Sequence, residues 1–323
     1  MLWPESCIRL YREFITQSTR NLYNRYLAYF QQFCLYKYGE FPPPQKYLSA
    51  AVAEFLSIKS SESERPESML NGIMAALSNY FNIPGRVNPI STEIRNLVKA
   101  LIKTGTKRQA GRTSIMPLAP FRVLFESWGA NESLSLVKLR QKAVTLLAIA
   151  CMARPSDFAP KSGFFREQLK FNDDDSVTVH FFGVKNDANK AGFEVRVEQT
   201  DNIFTDPVNC LKVYINKTAQ VLHQLEKQPV FVTLKPPCQG ISAQTVAHIL
   251  NDSIKDAGLP PSVYTAKSFR PSAATAAIVS GCDPNTTRVR GRWKNDKVFF
   301  SNYVYPISKT NISEKILSSN VTL

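Results

Sequence analysis

KSFRPSAATAAIVSGCDPNTTRVRGRWKNDKVFFSNYVYP, residues 267 to 306, is the stretch on which the reading of this chain turns. Its punctuation predicts three short helices: Arg270-Pro271 starts one that Gly281 ends, Asp283-Pro284 starts a second that Gly291 ends, and Asn295-Asp296 starts a third that Pro306 stops. Arg270 then sits at a helix N-terminus, where free N–H groups and the macrodipole already favour an anion, so its guanidinium reads as part of a phosphate site rather than a buried ion pair. The alanine-rich SAATAAIVS behind it allows close packing. Trp293, following a glycine cap, brings a large surface and one N–H donor. Tyr303 comes ten residues later on the last helix, beside Phe299 and Phe300, with Tyr305 as a rival for any role given to it.

Working outward, the predicted helix over 136–153 contains VTLLAIACMA, which is apolar on nearly every face and therefore expected to be buried. It delivers Arg154 just before Pro155. Such an arginine is costly unless it is paired or aimed at an anion, and Asp157 is its natural local partner. Strand signals follow at Gln168 to Phe171, then in SVTVHFFGVK and FEVRVEQ flanking the loop NDANKAG. They predict a small antiparallel sheet with Lys185 where the second strand enters its turn. Helices over 118–128, 209–226 and 242–257 complete a mixed α/β domain spanning residues 117–323.

Residues 18–37 place Leu22, Tyr26, Tyr29, Phe30 and Phe33 at helical spacing behind a Ser/Thr cap, and the run ends at Gly39 and a triple proline. Two more helices are predicted at about 45–58 and 66–81. In a fourth, Ile94, Leu97, Val98, Leu101 and Ile102 form an apolar face beside a stripe of Arg95, Lys99 and Lys103. Lys107, Arg108 and Arg112 continue the charge. Charge runs are usually solvated faces and linkers, but no acidic residue interrupts Arg95 to Arg112, which favours tracking of a phosphate backbone. A helical domain over 1–105 and a basic linker over 106–116 follow.

The chain's 323 residues suit two domains. With 44% hydrophobic residues, 11% aromatics and no low-complexity tract, disordered, collagenous and coiled-coil classes are excluded. Six cysteines without a CxxC pair and three scattered histidines suggest no metal site. The N-terminus MLWPESCIRLYREF carries charges where a signal peptide needs an apolar run, and no stretch approaches the roughly 18 apolar residues of a membrane span. An intracellular, reducing compartment and no membrane partner are expected. Forty Lys and Arg against 26 Asp and Glu leave a net charge of +14, which favours a polyanionic partner.

In their order, Arg154 with Asp157, Lys185, Lys267-x-x-Arg270, Trp293 and Tyr303 resemble the signature of the tyrosine recombinase (phage integrase) family. There an arginine follows a buried helix with an acidic residue three on, a lysine sits in a β-hairpin, and a His-x-x-Arg motif, a His or Trp and a nucleophilic Tyr follow. The N-terminal third, with STRNLYNRYLAYFQQF and IPGRVNPISTEIRNLVKALIKTGTKRQ leading to MPL, is similar to that family's helical core-binding (SAM-like) domain. The GRWKN and FFSNYV segments are most similar to recombinases of eukaryotic mobile elements, and a nuclear location is implied only for a eukaryotic source.

The resemblance implies a mainly α, two-domain protein: an N-terminal helical core-binding domain and a C-terminal mixed α/β catalytic domain with a small antiparallel sheet. It implies double-stranded DNA as substrate, dimers on a site, tetramers in synapsis, and ISKTNISEKILSS as a tail docking on a neighbouring subunit. It also implies cofactor-free transesterification. Tyr303 attacks the scissile phosphate, Arg154 and Arg270 stabilise its oxygens, Lys185 protonates the departing 5′-oxygen, and Trp293 donates from its indole or packs against the nucleophile's helix. Lys267 departs from the family's His. Its unperturbed pKa of about 10.4 leaves it protonated, so the alternative is a catalytically impaired or domesticated DNA-binding protein that keeps the scaffold. Relaxation of supercoils, as by type IB topoisomerases, is a third possibility; a protein-binding scaffold leaves the cation placements without a reason.

Overall fold

The computed structural model describes residues 7, 15–63, 66–83, 86–104, 115–184 and 191–302, apart from the side chains of residues 298, 301 and 302. Lys107, Arg108, Arg112, Lys185, Tyr303, Tyr305 and the segment 307–319 lie outside the described residues. The chain divides into two compact units, Met1–Gly111 and Arg112–Leu323.

The first unit holds α1 (Gln17–Tyr38), α2 (Gln45–Ser61), α3 (Pro66–Phe81) and α4 (Thr92–Thr104). Local chemistry sets both ends of α1. The Thr16 side chain accepts from the Thr19 N–H, and Gly39, at φ 75°, makes the left-handed turn whose N–H closes on the Leu35 carbonyl. The core is one stripe from each helix: Phe30 and Cys34, then Val52, Phe55 and Leu56, then Leu70, Ile73 and Leu77, then Ile94 and Val98. The Phe30 ring meets those of Phe33, Phe41 and Phe55 at centroid separations of 6.3, 6.1 and 5.3 Å, within the range where aromatic pairs attract. With Ile94 and Val98 turned inward, helical periodicity leaves Arg95, Lys99 and Lys103 exposed along α4.

The second unit contains α5 (Ala119–Trp128), α6 (Leu136–Ala150), the strands β1 (Leu169–Phe171), β2 (Val177–Phe181) and β3 (Phe193–Val197), then α7 (Pro207–Leu222), α8 (Ala243–Asp256), α9 (Phe269–Val279), α10 (Pro284–Arg290) and α11 (Asp296–Asn302). The strands form an antiparallel sheet in the order β1-β2-β3. Period-two alternation buries Val177, Val179 and Phe181 of β2, opposite Val197, Val195 and Phe193 of β3. The buried run of α6, Gln141 to Ala148, packs against α7, α8 and α9. This helix stops three residues short of the sequence expectation because Met152 adopts a left-handed φ of 47°. Likewise α7 starts earlier than the sequence suggests, at Pro207, behind an Asp206 carboxylate that accepts the Val208 N–H. Among the described residues the protein is mainly helical with one small sheet, as expected. No helix among the described residues is long and apolar enough to cross a membrane.

Candidate active site

Two helix ends build the site. At the end of α6 the Cys151 N–H bonds the Leu147 carbonyl at 2.9 Å and the Ala153 N–H reaches back to Ala148 at 3.0 Å, with Met152 as the left-handed residue between them. At the end of α10 the Gly291 N–H bonds Thr287 at 3.0 Å and the Trp293 N–H reaches Arg288 at 3.1 Å, with Arg292 left-handed at φ 61°. Both closures have the Schellman pattern, in which that residue is commonly glycine; here it is methionine in one and arginine in the other. Each turn presents a carbonyl at the negative end of a helix dipole.

Arg270, in the first turn of α9, joins the two. Its Nη1 donates to the Met152 carbonyl at 2.7 Å and its Nη2 to the Gly291 carbonyl. The guanidinium lies 4.1 Å from the centroid of the Trp293 ring. Arg270 is 3% exposed, so a cation is held in the interior by two helix-terminal acceptors and an aromatic face. The small residues Ala273 and Ala274 pack with Met152, Trp293 and Phe299 in one apolar cluster. Ser272 ties the start of α9 to the domain's first segment, its hydroxyl accepting the Met116 N–H at 2.8 Å. Gly291 is a steric necessity, since a Cβ there would stand 1.7 Å from a ring carbon of Trp293.

Asp157 is the second focus. Arg154 caps the 3₁₀ turn Pro155–Phe158, and its N–H donates to Asp157 Oδ2 at 2.9 Å. The same oxygen accepts Arg292 Nη2 at 2.6 Å and stands 4.0 Å from Arg270 Nη1. Phe158 fixes the turn, its ring 5.9, 6.0 and 5.7 Å from those of Phe164, Phe181 and Phe231. Asp157 therefore pairs with Arg154 through the backbone, whereas its guanidinium partners are Arg292 and, at the longer 4.0 Å, Arg270. The Arg154 side chain is half-buried. Arg292 is buried, with its guanidinium 4.5 Å from the Phe181 centroid. Burial pushes the Arg292 pKa down from its ordinary value, while Asp157 opposes the shift. Burial likewise pushes the adjacent Cys151 thiol up to about 12. Arg290 donates from Nε to the Ala150 carbonyl at 2.9 Å, adding another cation to the end of α6.

Lys267 lies on the surface just ahead of α9. The Ala266 N–H beside it donates to Asn251 Oδ1 at 2.7 Å, holding the approach to the helix. The fold thus brings together the Arg154 turn, Asp157, Arg270 and Trp293, with Lys267 one helical turn before Arg270; Arg95, Lys99 and Lys103 belong to the other unit. Phe299 of α11, the last element described, packs on Trp293 at 4.9 Å. Sequence reasoning missed Arg292. In RVRGRW the glycine reads as the residue that closes the helix, but Gly291 is right-handed and Arg292 makes the left-handed turn.

Guanidinium groups converging on a single carboxylate leave a surplus of fixed positive charge, suited to an anion such as a phosphodiester. No protein-family model matches the chain, and no curated sequence relative matches it. Solved structures do. The Tn1549 transposon integrase in complex with transposon right end DNA is similar over 97% of this chain and 99% of that one, with a TM-score of 0.63 and 12% identity. The XerH site-specific recombinase bound to palindromic difH substrate is similar over 93% of this chain and 80% of its own, with a TM-score of 0.61 and 14% identity. A lambda integrase dimer bound to a COC′ core site matches over 96% and 98%, with a TM-score of 0.58 and 15% identity. This likeness establishes the fold, that of the tyrosine recombinases and integrases.

Proposed function

We propose that the chain is a site-specific DNA recombinase or integrase that breaks and rejoins strands by transesterification through a 3′-phosphotyrosyl intermediate. The supporting observation is the convergence on Asp157 of the Arg154 turn and the Arg270 guanidinium, with Trp293 stacked on the latter. The helical unit would serve as the core-binding domain and the larger unit as the catalytic one. Dimers on each site and tetramers in synapsis belong to the same reading, and the GRWKN segment favours a mobile-element source.

In this mechanism the Tyr303 oxygen attacks the scissile phosphorus and the P–O5′ bond breaks. Lys185 gives a proton to the departing 5′-oxygen, and the 5′-hydroxyl of another DNA end reverses the step. Charge on the non-bridging oxygens is met by Arg154 and Arg270. Because Met152 and Gly291 already orient Arg270, little reorganisation is needed when that charge develops. A pool of nicked suicide duplexes with randomised cores tests the reading: the wild-type chain and Tyr305→Phe should form a covalent protein–DNA adduct that Tyr303→Phe abolishes. An adduct that survives Tyr303→Phe sinks the nucleophile assignment.

One observation favours a second reading, a DNA-binding protein with impaired catalysis. Lys267 stands where the resemblance implies a histidine, and it is solvent-exposed. That reading expects salt-dependent DNA binding and no adduct from any duplex in the pool.

A further inference from the structure

Arg292 occupies a place that disfavours arginine twice. Its φ of 61° lies in the left-handed region, where a Cβ is crowded against the following carbonyl, and its side chain is buried, 5% exposed. Glycine there would close α10 without strain and without a buried charge. The side chain lies over the Phe181 ring and donates to Asp157 Oδ2, while Nη1 has no hydrogen-bond partner among the described residues. Its interaction with protein polar groups is therefore concentrated on one carboxylate oxygen, and that oxygen also receives the Arg154 N–H and stands 4.0 Å from Arg270.

A buried carboxylate without Arg292 must find another cation. Arg270 is near enough to supply it. Closing that 4.0 Å gap would draw the guanidinium off the Met152 and Gly291 carbonyls and cancel the charge intended for the phosphate. We propose that Arg292 is a positioning residue that occupies Asp157, so that this carboxylate secures the Arg154 turn without collapsing onto Arg270. The proposal rests on the reading above, in which Arg154 and Arg270 face the scissile phosphate.

The test uses the full chain and the variants Arg292→Gly, Arg292→Lys, Asp157→Asn and Asp157→Asn/Arg292→Gly, with two readouts. The first is the affinity for tungstate, a phosphate analogue, at the site identified by its loss in Arg154→Ala. The second is the single-turnover rate of adduct formation on the nicked pool at saturating protein, with DNA affinity measured separately. Arg292→Gly should weaken tungstate binding about ten-fold and slow adduct formation ten- to a hundred-fold, leaving DNA affinity within two-fold. Arg292→Lys should recover most of both losses. In the Asp157→Asn background the same glycine should cost no more than about two-fold, because no charge remains to be occupied.

Equal tungstate affinity in the wild type and Arg292→Gly overturns the proposal, as does the same fold-loss in both backgrounds or a wild-type chain that binds no tungstate. If Arg292→Gly gives no cooperative melt, Arg292→Gln compared with Asp157→Asn/Arg292→Gln carries the same comparison. A chain that shows the Arg292-dependent tungstate pattern but never forms an adduct refutes the strand-cleavage reading and supports the positioning role.

Discussion

A methyl group added to Gly291 would lie 1.7 Å from the Trp293 ring, so Gly291→Ala must tilt the indole off Arg270 or open the end of α10. The backbone itself is an ordinary right-handed one, so the cost is steric overpacking, about 1–3 kcal/mol in denaturant unfolding. Trp293→Phe should relieve most of it in the double variant; equal losses in both backgrounds would point to the backbone instead. The cysteines supply a second residue-scale outcome. Burial raises the thiols of Cys34, Cys151 and Cys210 to about 12, so at pH 8 roughly one in ten thousand of each is thiolate. A thiol reagent at that pH should rapidly modify only Cys7, Cys238 and Cys282, and reach the other three on unfolding. Since the folded chain keeps those protons after the unfolded chain has lost them, the three thiols remove stability as pH rises from about 8.5 towards 12. At this scale Arg270 and Trp293 were legible from type and spacing. Arg292 was not, because its partner lies 135 residues away and no periodicity encodes a meeting at that range.

Among the elements, α6 was the easiest to read and yet holds an anomaly. Its apolar run announced a buried helix, but Lys142 within it is 0% exposed and its Nζ has no hydrogen-bond partner among the described residues. Its Nζ lies 5.8 Å from the centroid of the Phe125 ring. Burial lowers the Lys142 pKa, with Cys210 and Glu132 opposing. The unfolded chain therefore binds the proton more readily, and the lysine costs most below its folded pKa, a cost that fades as pH climbs towards the unfolded value. Lys142→Met fills the same volume without a charge and should stabilise the chain by about 1–4 kcal/mol. In urea unfolding the gain should be largest at low pH and shrink towards pH 10; a loss of stability, or a gain rising with pH, would contradict the assignment. Helix starts and stops were legible where Pro, Gly or a capping side chain marks them, as at Gly39 and Asp283. The end of α6 was not, because a methionine rather than a glycine makes its left-handed turn.

At the scale of the molecule, the surplus of 40 Lys and Arg over 26 Asp and Glu should act through the counterions displaced from DNA rather than through chemistry. Arg95, Lys99 and Lys103 recur at four-residue intervals on the exposed side of α4, so eight residues of rise spread them over about 12 Å. That span is comparable with a few phosphates along a duplex, and each phosphate neutralised contributes about −0.9 to the slope of log affinity against log salt. Arg95→Ala/Lys99→Ala/Lys103→Ala should therefore flatten the slope by up to about 2.7 and weaken binding to every sequence alike. The rate of adduct formation at saturating protein should stay unchanged, because none of the three belongs to the set that gathers at Asp157. Arg270→Ala should do the reverse, leaving the slope within about one unit while abolishing the adduct. Titrations between 50 and 200 mM salt separate the two. An unaltered slope in the triple variant would remove α4 from the DNA interface, and a slope that falls as far in Arg270→Ala would mean that the interior arginine acts as ordinary surface charge rather than as part of a built phosphate site.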